Sequence, residues 1–204
     1  MAQLRADAVA TRSVLLELQD ERRFTQEGHT FLDQKRMLLA GEMLRWLQRY
    51  ADARRAYQAA HSAARHALAH AVARHGTREL AALPPRSASL AAMRYHQDSF
   101  LGVCLQRAEG ELDVSAPTAI ACNPSPESRG AADAFERLLR TELTLALASG
   151  NLERLLQEYR RTERRARALE NVVLPELSAT IDHIDEQLAE QEHEEAARMR
   201  LRRD

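Results

Sequence analysis

The stretch RRTERRARALENVVLPEL, Arg160 to Leu177, decides the fold. Five arginines (Arg160, Arg161, Arg164, Arg165 and Arg167) fall within eight positions. Apolar residues keep helical spacing on both sides of Pro175, from Leu169 and Val173 through Leu177, Ile181, Ile184 and Leu188. A proline in a helix interior removes a backbone donor and clashes with the preceding turn, at a cost of ~3 kcal/mol. A long helix that carries one needs a local bend, or tertiary packing that offsets the loss.

Working outward, the composition argues against a compact ball. Charged residues are 29% of the 204 and aromatics only 4%, with Trp46 the one tryptophan. Seven glycines and six prolines leave little material for turns, so long helices dominate the expectation. A net charge of −1 gives no bias toward nucleic acid or an anionic membrane. Lys35 is the single lysine; arginine supplies the other positive charges.

The first long helix is expected from near Thr11 to about His75–Gly76. Its inward positions read Leu15, Leu18, Gly28, Leu32, Leu39, Met43, Trp46, Tyr50, Ala53, Tyr57, Ala60, Ala64, Ala67 and Ala71. From Trp46 onward the steps alternate four and three, a heptad seam. The steps at Leu39, Met43 and Trp46 form a stutter that locally unwinds a supercoil. Small seam residues beyond Ala51 bury little apolar area, so that part of the pair is expected to be thin.

The second long helix is expected from near Gly130–Ala131 to about Arg200. Its seam takes in Phe135, Leu138, Leu139, Leu152, Leu155, Tyr159, Thr162 and Ala166 before the run quoted above, with Gly150–Asn151 a weak point. Some 70 helical residues would extend ~100 Å. Two such helices, joined by a middle segment, predict a mainly α chain: an antiparallel coiled coil with both ends at one tip, and a small head containing a short β-hairpin. The expected parts are residues 1–76, 77–129 and 130–204. In the head, Pro84–Pro85 breaks the helix. Ser99–Leu105 and Pro117–Cys122 read as strands, AEGELDVS turns between them, one or two short helices complete the head, and Ser128 is a candidate N-cap.

Chemistry is sparse. No phosphate-binding GxxxxGK[ST], GxSxG, HExxH or CxxC occurs. His66 and His70 lie four apart, but no local carboxylate or thiol completes a metal site. Glu190, Glu192, Glu194 and Glu195 read as a solvated helix face. Cys104 and Cys122 read as reduced thiols of a cytosolic protein. The N-terminal MAQLRADAVATRS lacks a signal peptide's apolar core, and no window is apolar enough to span a bilayer. No catalytic residue, cofactor or metal ligand is expected. The arginine run leaves three readings open. It is a solvated face supported by Glu158, Glu163 and Glu170, a cationic collar that meets a partner's acidic loops, or a nucleic-acid contact. The last is disfavoured by interleaved acids and missing aromatics.

The residues also carry a resemblance. Thr162, Arg164, Arg165, Ala168, Leu169, Glu170, Val172, Val173 and Pro175 resemble the Thr-Arg-Arg-x-Asn-Ala-Leu-Glu run and following Val-Val-Ile-Pro of the D subunit in the V-type and A-type rotary ATPases. Thr11–Arg12 before Leu15–Leu16 is similar to that family's Thr-Arg and leucine run. Gly28, Phe31–Leu32, Lys35–Arg36 and Leu38 or Leu39 resemble its Gly-x-x-Leu-Leu-Lys-x-Lys-Arg-x-x-Leu motif. Gly102 in SFLGVCL falls where the family's head carries a glycine in a strand. The acidic-then-basic helix end Glu186–Arg203 is also similar.

The resemblance implies a non-catalytic central axle that carries torque between a catalytic A3B3 hexamer and the ion-translocating membrane ring. It implies three partners: the hexamer, the small F subunit of the central stalk, and a socket subunit of C or d type on the ring. Nucleic acid and direct membrane insertion are not implied. The location implied is cytoplasmic, peripheral to the membrane. Thr11, Arg12 and the end of the last helix would meet the hexamer's apolar bearing. Lys35, Arg36, Arg161, Arg164 and Arg165 would meet its contact loops, Pro175 would bend the shaft, and Gly102 would face the socket. The competing readings are a free coiled-coil scaffold or adaptor and, more remotely, a peripheral helical membrane binder.

Overall fold

The computed structural model describes residues 10–84, 86–89, 93–109, 112–115 and 125–201. The chain is mainly α with small β-ladders. Helix α1 spans Arg12–Ala81. Four strands follow: β1 (Ser87–Ser89), β2 (Arg94–Phe100), β3 (Val103–Glu109) and β4 (Asp113–Ser115). Helix α2 runs Pro126–Ala168, a π-helical turn occupies Leu169–Val173, and α3 runs Leu174–Leu201. The residues form two compact units, 1–38 with 159–204 and 39–158.

In the first unit, Thr11 opens α1 as its cap. The Val14 N–H donates to Thr11 Oγ1 at 3.3 Å, satisfying one of the orphan donors of the first turn. The helices here are antiparallel: Arg12 meets Glu192, and His29 lies 3.9 Å from Glu170. Between these contacts Leu18, Leu177, Ile181 and Ile184 form a buried cluster. Val14, Leu15, Val173 and Leu188 pack against it. Burying side chains of this kind stabilises by about 1.5–3 kcal/mol each.

Pro175 is accommodated by a change in helix type. In an α-helix its missing N–H would have met the Asn171 carbonyl, and its ring would press on that carbonyl. The turn before it is instead widened to π, with the Leu174 N–H donating to the Leu169 oxygen. One residue is in effect inserted, the usual form of a π-bulge. In place of the expected bend, the structure shows a widened turn, directly ahead of the proline.

In the second unit the buried positions of α1 include Leu39, Ala53, Ala64 and Ala71. Gly76 departs from helical geometry at φ +74° and ψ 165°, a region closed to L side chains, so α1 is kinked there before continuing to Ala81. Helix α2 begins earlier than expected, at Pro126. Its cap is Ser125 rather than Ser128. The Ser128 N–H donates to Ser125 Oγ at 3.1 Å, and the Ser125 N–H donates to Ser128 Oγ at 3.2 Å. This is a reciprocal capping pair with proline at the first helical position, where its missing donor costs nothing.

The head differs from expectation in its pairing. Ser99–Leu105 is no single strand: it spans the turn of a hairpin. β2 and β3 pair antiparallel from Arg94↔Glu109 to Phe100↔Val103. Leu101 and Gly102 form the two-residue turn at φ +50° and +86°. Positive φ at both positions is what the right-handed twist of the strands demands of so short a loop. Gly102 therefore sits in a turn and not in a strand. AEGELDVS does not simply turn, because Asp113–Ser115 forms β4 and pairs with β1. No short helix occurs among the described head residues, and Pro117–Cys122 lies outside them.

Candidate functional site

Candidate contact residues fall mainly in the first unit: Thr11, Arg12, Lys35, Arg36, Arg161, Arg164, Arg165 and Pro175 belong to it, and Gly102 to the second. Thr11 is exposed and serves as the α1 cap. Arg12 is paired with Glu192 across the helices. That hydrogen bond first, and the carboxylate charge second, hold its guanidinium above the ordinary value. Arg12, Leu15, Leu16, Asp185, Leu188, Ala189 and Glu192 line an open groove at this end. Arg36 is tied to Asp33 at 2.7 Å within its own helix, and Lys35 is half-buried.

The arginine run divides. Arg167 pairs with Glu163 at 2.7 Å, one turn away. Arg160, Arg161, Arg164 and Arg165 are exposed, and the described residues offer them neither an ion pair nor a hydrogen bond. Thr162 and Ala166, between them, are buried. The helix thus fixes its inward side with small residues and leaves four guanidinium groups in solvent. A surface ion pair is worth only ~0–1 kcal/mol, so unpaired exposed arginines cost the fold little.

Sequence patterning missed a second feature of this unit. Phe24, Phe31 and Leu38 recur at seven-residue intervals on α1 and are 77%, 64% and 56% exposed. Seven residues are close to two helical turns, so the three side chains form one stripe. Its face is turned away from Leu18, which is buried in the intramolecular seam. The signal was available as a second heptad of large apolar residues, but the seam through Leu32 and Leu39 masked it.

In the second unit, α2 presents Ala131, Ala134, Ala148, Asn151 and Leu155 to the interior. Phe135 and Leu139, expected in the seam, are 40% and 42% exposed. Asn151 is fully buried, and it holds the hairpin. It accepts the Gln106 N–H at 2.8 Å and donates to the Gln106 carbonyl at 2.6 Å, as a neighbouring strand would. Arg154 adds a third bond to Asn151 Oδ1 at 3.2 Å, its guanidinium lying in the space left by Gly150. Gly150–Asn151 is thus an anchor in an unbroken helix, not a weak point. Where α1 ends, His75 Nε2 lies 2.5 Å from Ser125 Oγ and Arg74 pairs with Glu127 at 3.3 Å. Hydrogen bonding from its own backbone N–H, and then the Arg74 charge, hold the Glu127 carboxyl below the usual range against desolvation.

His66 and His70 are both exposed. No group of three or more metal-ligating side chains comes together among the described residues. None of their helices is long and apolar enough to cross a membrane. The features that stand out are therefore surfaces: an apolar stripe, a cationic patch, and a hairpin fixed to a helix.

Comparison with known proteins agrees with the motifs. A family model described as the D subunit of ATP synthase matches residues 14–203. The D subunit of the V-type ATP synthase of Anaeromyxobacter dehalogenans strain 2CP-1 is 32% identical over 197 residues, covering 95% of this chain and 94% of its own. The D subunit of the A-type ATP synthase of Haloquadratum walsbyi is 29% identical over 205 residues, covering 95% and 85%. That of Halobacterium salinarum strain R1 is 27% identical over 203 residues, covering 97% and 90%. With its motifs in order along both helices and a family match over nearly its whole length, this chain belongs to the family of ATP synthase D subunits.

Proposed function

We propose that this chain is the non-catalytic central axle of an A/V-type ATP synthase or ATPase, passing torque between a catalytic A3B3 hexamer and the membrane ion-translocating ring. The observation that carries the reading is the stripe of Phe24, Phe31 and Leu38. Three large apolar side chains left in water at heptad spacing are a cost in an isolated protein and an interface in an assembled one. Each contributes about 1.5–3 kcal/mol when a partner covers it. The unpaired Arg160, Arg161, Arg164 and Arg165 supply a polar contact set nearby in sequence to the Pro175 turn.

In this reading residues 1–76 and 130–204 are the shaft and 77–129 the head. The shaft enters the hexamer, the small F subunit binds beside it, and the head, through the turn at Gly102, meets the socket subunit. The protein is cytoplasmic and peripheral, associated with the membrane through its complex. Thr11, Arg12, Lys35, Arg36, Arg161, Arg164 and Arg165 are the proposed contacts of the shaft, with Pro175 setting its local geometry.

The test is assembly. Phe24→Ser with Phe31→Ser removes apolar surface that the isolated fold does not bury, so its melting should hold while recovery of hexamer subunits, or the coupled ATPase rate, falls. A parallel variant replaces Arg161, Arg164 and Arg165 by Ala. Unchanged assembly and unchanged rate in both would sink the axle reading in favour of a free scaffold.

A further inference from the structure

The hairpin has two long edges, and they are unlike. In a two-residue hairpin the residues flanking the turn form a hydrogen-bonded pair, and hydrogen-bonded and open pairs then alternate. The register puts Phe100↔Val103, Asp98↔Leu105, His96↔Arg107 and Arg94↔Glu109 in the bonded class. Tyr95, Gln97 and Ser99 on β2, and Cys104, Gln106 and Ala108 on β3, direct their N–H and C=O groups outward. The independent contact of Asn151 with both backbone groups of Gln106 agrees with this register. The β3 edge is therefore occupied at its centre by a helix side chain. The β2 edge has no backbone partner among the described residues.

We infer that the outer edge of β2 receives an extended strand from a neighbouring subunit, hydrogen-bonded to the backbone of Tyr95, Gln97 and Ser99. Three donors and three acceptors stand in one row, on a strand of seven residues with no bulge and no proline. Such an edge is a template for strand addition. Asn151 holds the hairpin from the other side, so the template is fixed before the partner arrives.

The side chains state what the partner carries. On one face Asp98 and His96 are already matched, to Arg107 at 3.1 Å and Glu109 at 3.4 Å. Arg94 has no ion pair with another described residue. The incoming strand places a carboxylate beside Arg94. On the other face it places an apolar residue beside Tyr95, which is half-exposed. A cation beside Arg94 would be repelled and a charged side chain beside Tyr95 would gain no partner, which gives the edge selectivity over indiscriminate pairing.

The inference rests on the assembly reading above, and the experiment separates the two. Amide exchange is followed residue by residue in the isolated chain at two concentrations and in the complex purified from its own cells. The expected result is a gain of about tenfold or more in protection at Tyr95, Gln97 and Ser99 on assembly, with His96 and Asp98 already protected in the free chain. Gln97→Pro removes one outward donor and no ladder bond. It should weaken the contact about tenfold, the worth of one main-chain hydrogen bond, while His96 and Asp98 stay protected. Equal exchange of the three amides in both states overturns the proposal. So does protection that is present in the free chain at every concentration, which would mean another segment of this chain covers the edge, or protection that rises with its concentration, which would mean a second copy does. If the purified assembly contains no ATPase subunit, the axle reading falls, and the same three amides in that assembly still decide whether a strand is added.

Discussion

Replacing Asn151 should release the hairpin from its helix, and the cost can be worked from the contacts. Asn151→Ala removes the acceptor of the Gln106 N–H and the donor to the Gln106 carbonyl. Each backbone group left without a partner in a buried setting costs about 1–3 kcal/mol. The third bond, from Arg154, is partly exposed and water replaces it, so it adds little. The expected loss is about 2–6 kcal/mol. Lifting the hairpin into water offers no cheaper escape. It would expose Val103 and Leu105, both buried, at about 1.5–3 kcal/mol each. Native-state amide exchange reads the effect directly. Protection of the Gln106 amide should fall by about 30-fold or more, since each 1.4 kcal/mol is tenfold. Asn151→Asp gives a sharper check. It keeps an acceptor for the Gln106 N–H and sets a carboxylate oxygen against the Gln106 carbonyl. The Gln106 amide should then stay better protected than in the Ala variant, although the hairpin is still destabilised. Wild-type protection in the Ala variant, or equal protection in the two variants, would refute the reasoning.

Other outcomes follow from single contacts. Leu101→Asn in the hairpin turn should stabilise the hairpin by about 1 kcal/mol in thermal melts, because a leucine at positive φ is strained where asparagine is tolerated. Gly76→Ala should cost about 1–3 kcal/mol by denaturant titration, although nothing occupies the space of the added methyl; the penalty is conformational. Ile181→Ala, in the cluster with Leu18, Leu177 and Ile184, should destabilise the first unit by about 2–5 kcal/mol. The folded-state pKa of Glu127 lies below its ordinary value, so its contribution is present above the unfolded value and is lost as pH falls through the folded one. Glu127→Gln should therefore lower stability at neutral pH, leave stability at low pH nearly unchanged, and so flatten the acid side of the curve, as followed by circular dichroism.

Much of the helical architecture was legible because periodicity is a local signal. The inward positions expected from Leu15 to Ala71 are all buried or half-buried in the structure, as are those expected from Leu152 to Leu188. The same rule failed at Phe135 and Leu139. Beside the head, α2 turns Ala131, Ala134 and Asn151 inward, because close approach there needs small residues and a polar group that can meet a strand backbone. A pattern search looks for apolar residues and passes over an inward asparagine. The hairpin was misplaced for a related reason. Ser99–Leu105 has strand-like composition on both sides of Leu101–Gly102, and leucine is a poor advertisement for a turn at positive φ.

The sequence by itself determined the helical class of this protein, the buried seams and the motifs that mark its family. Those properties lie in residue order within a few turns of chain. Tertiary structure alone decided which exposed residues remain without partners, where Pro175 is relieved, and what holds the hairpin. The Gln106–Asn151 contact joins residues 45 apart, and the π turn at Leu169–Val173 arises where the proline's lost donor is balanced by packing around Leu177 and Ile181. Neither can be read from spacing, because a buried polar group and a widened helical turn are stable only when a neighbour distant in sequence compensates them.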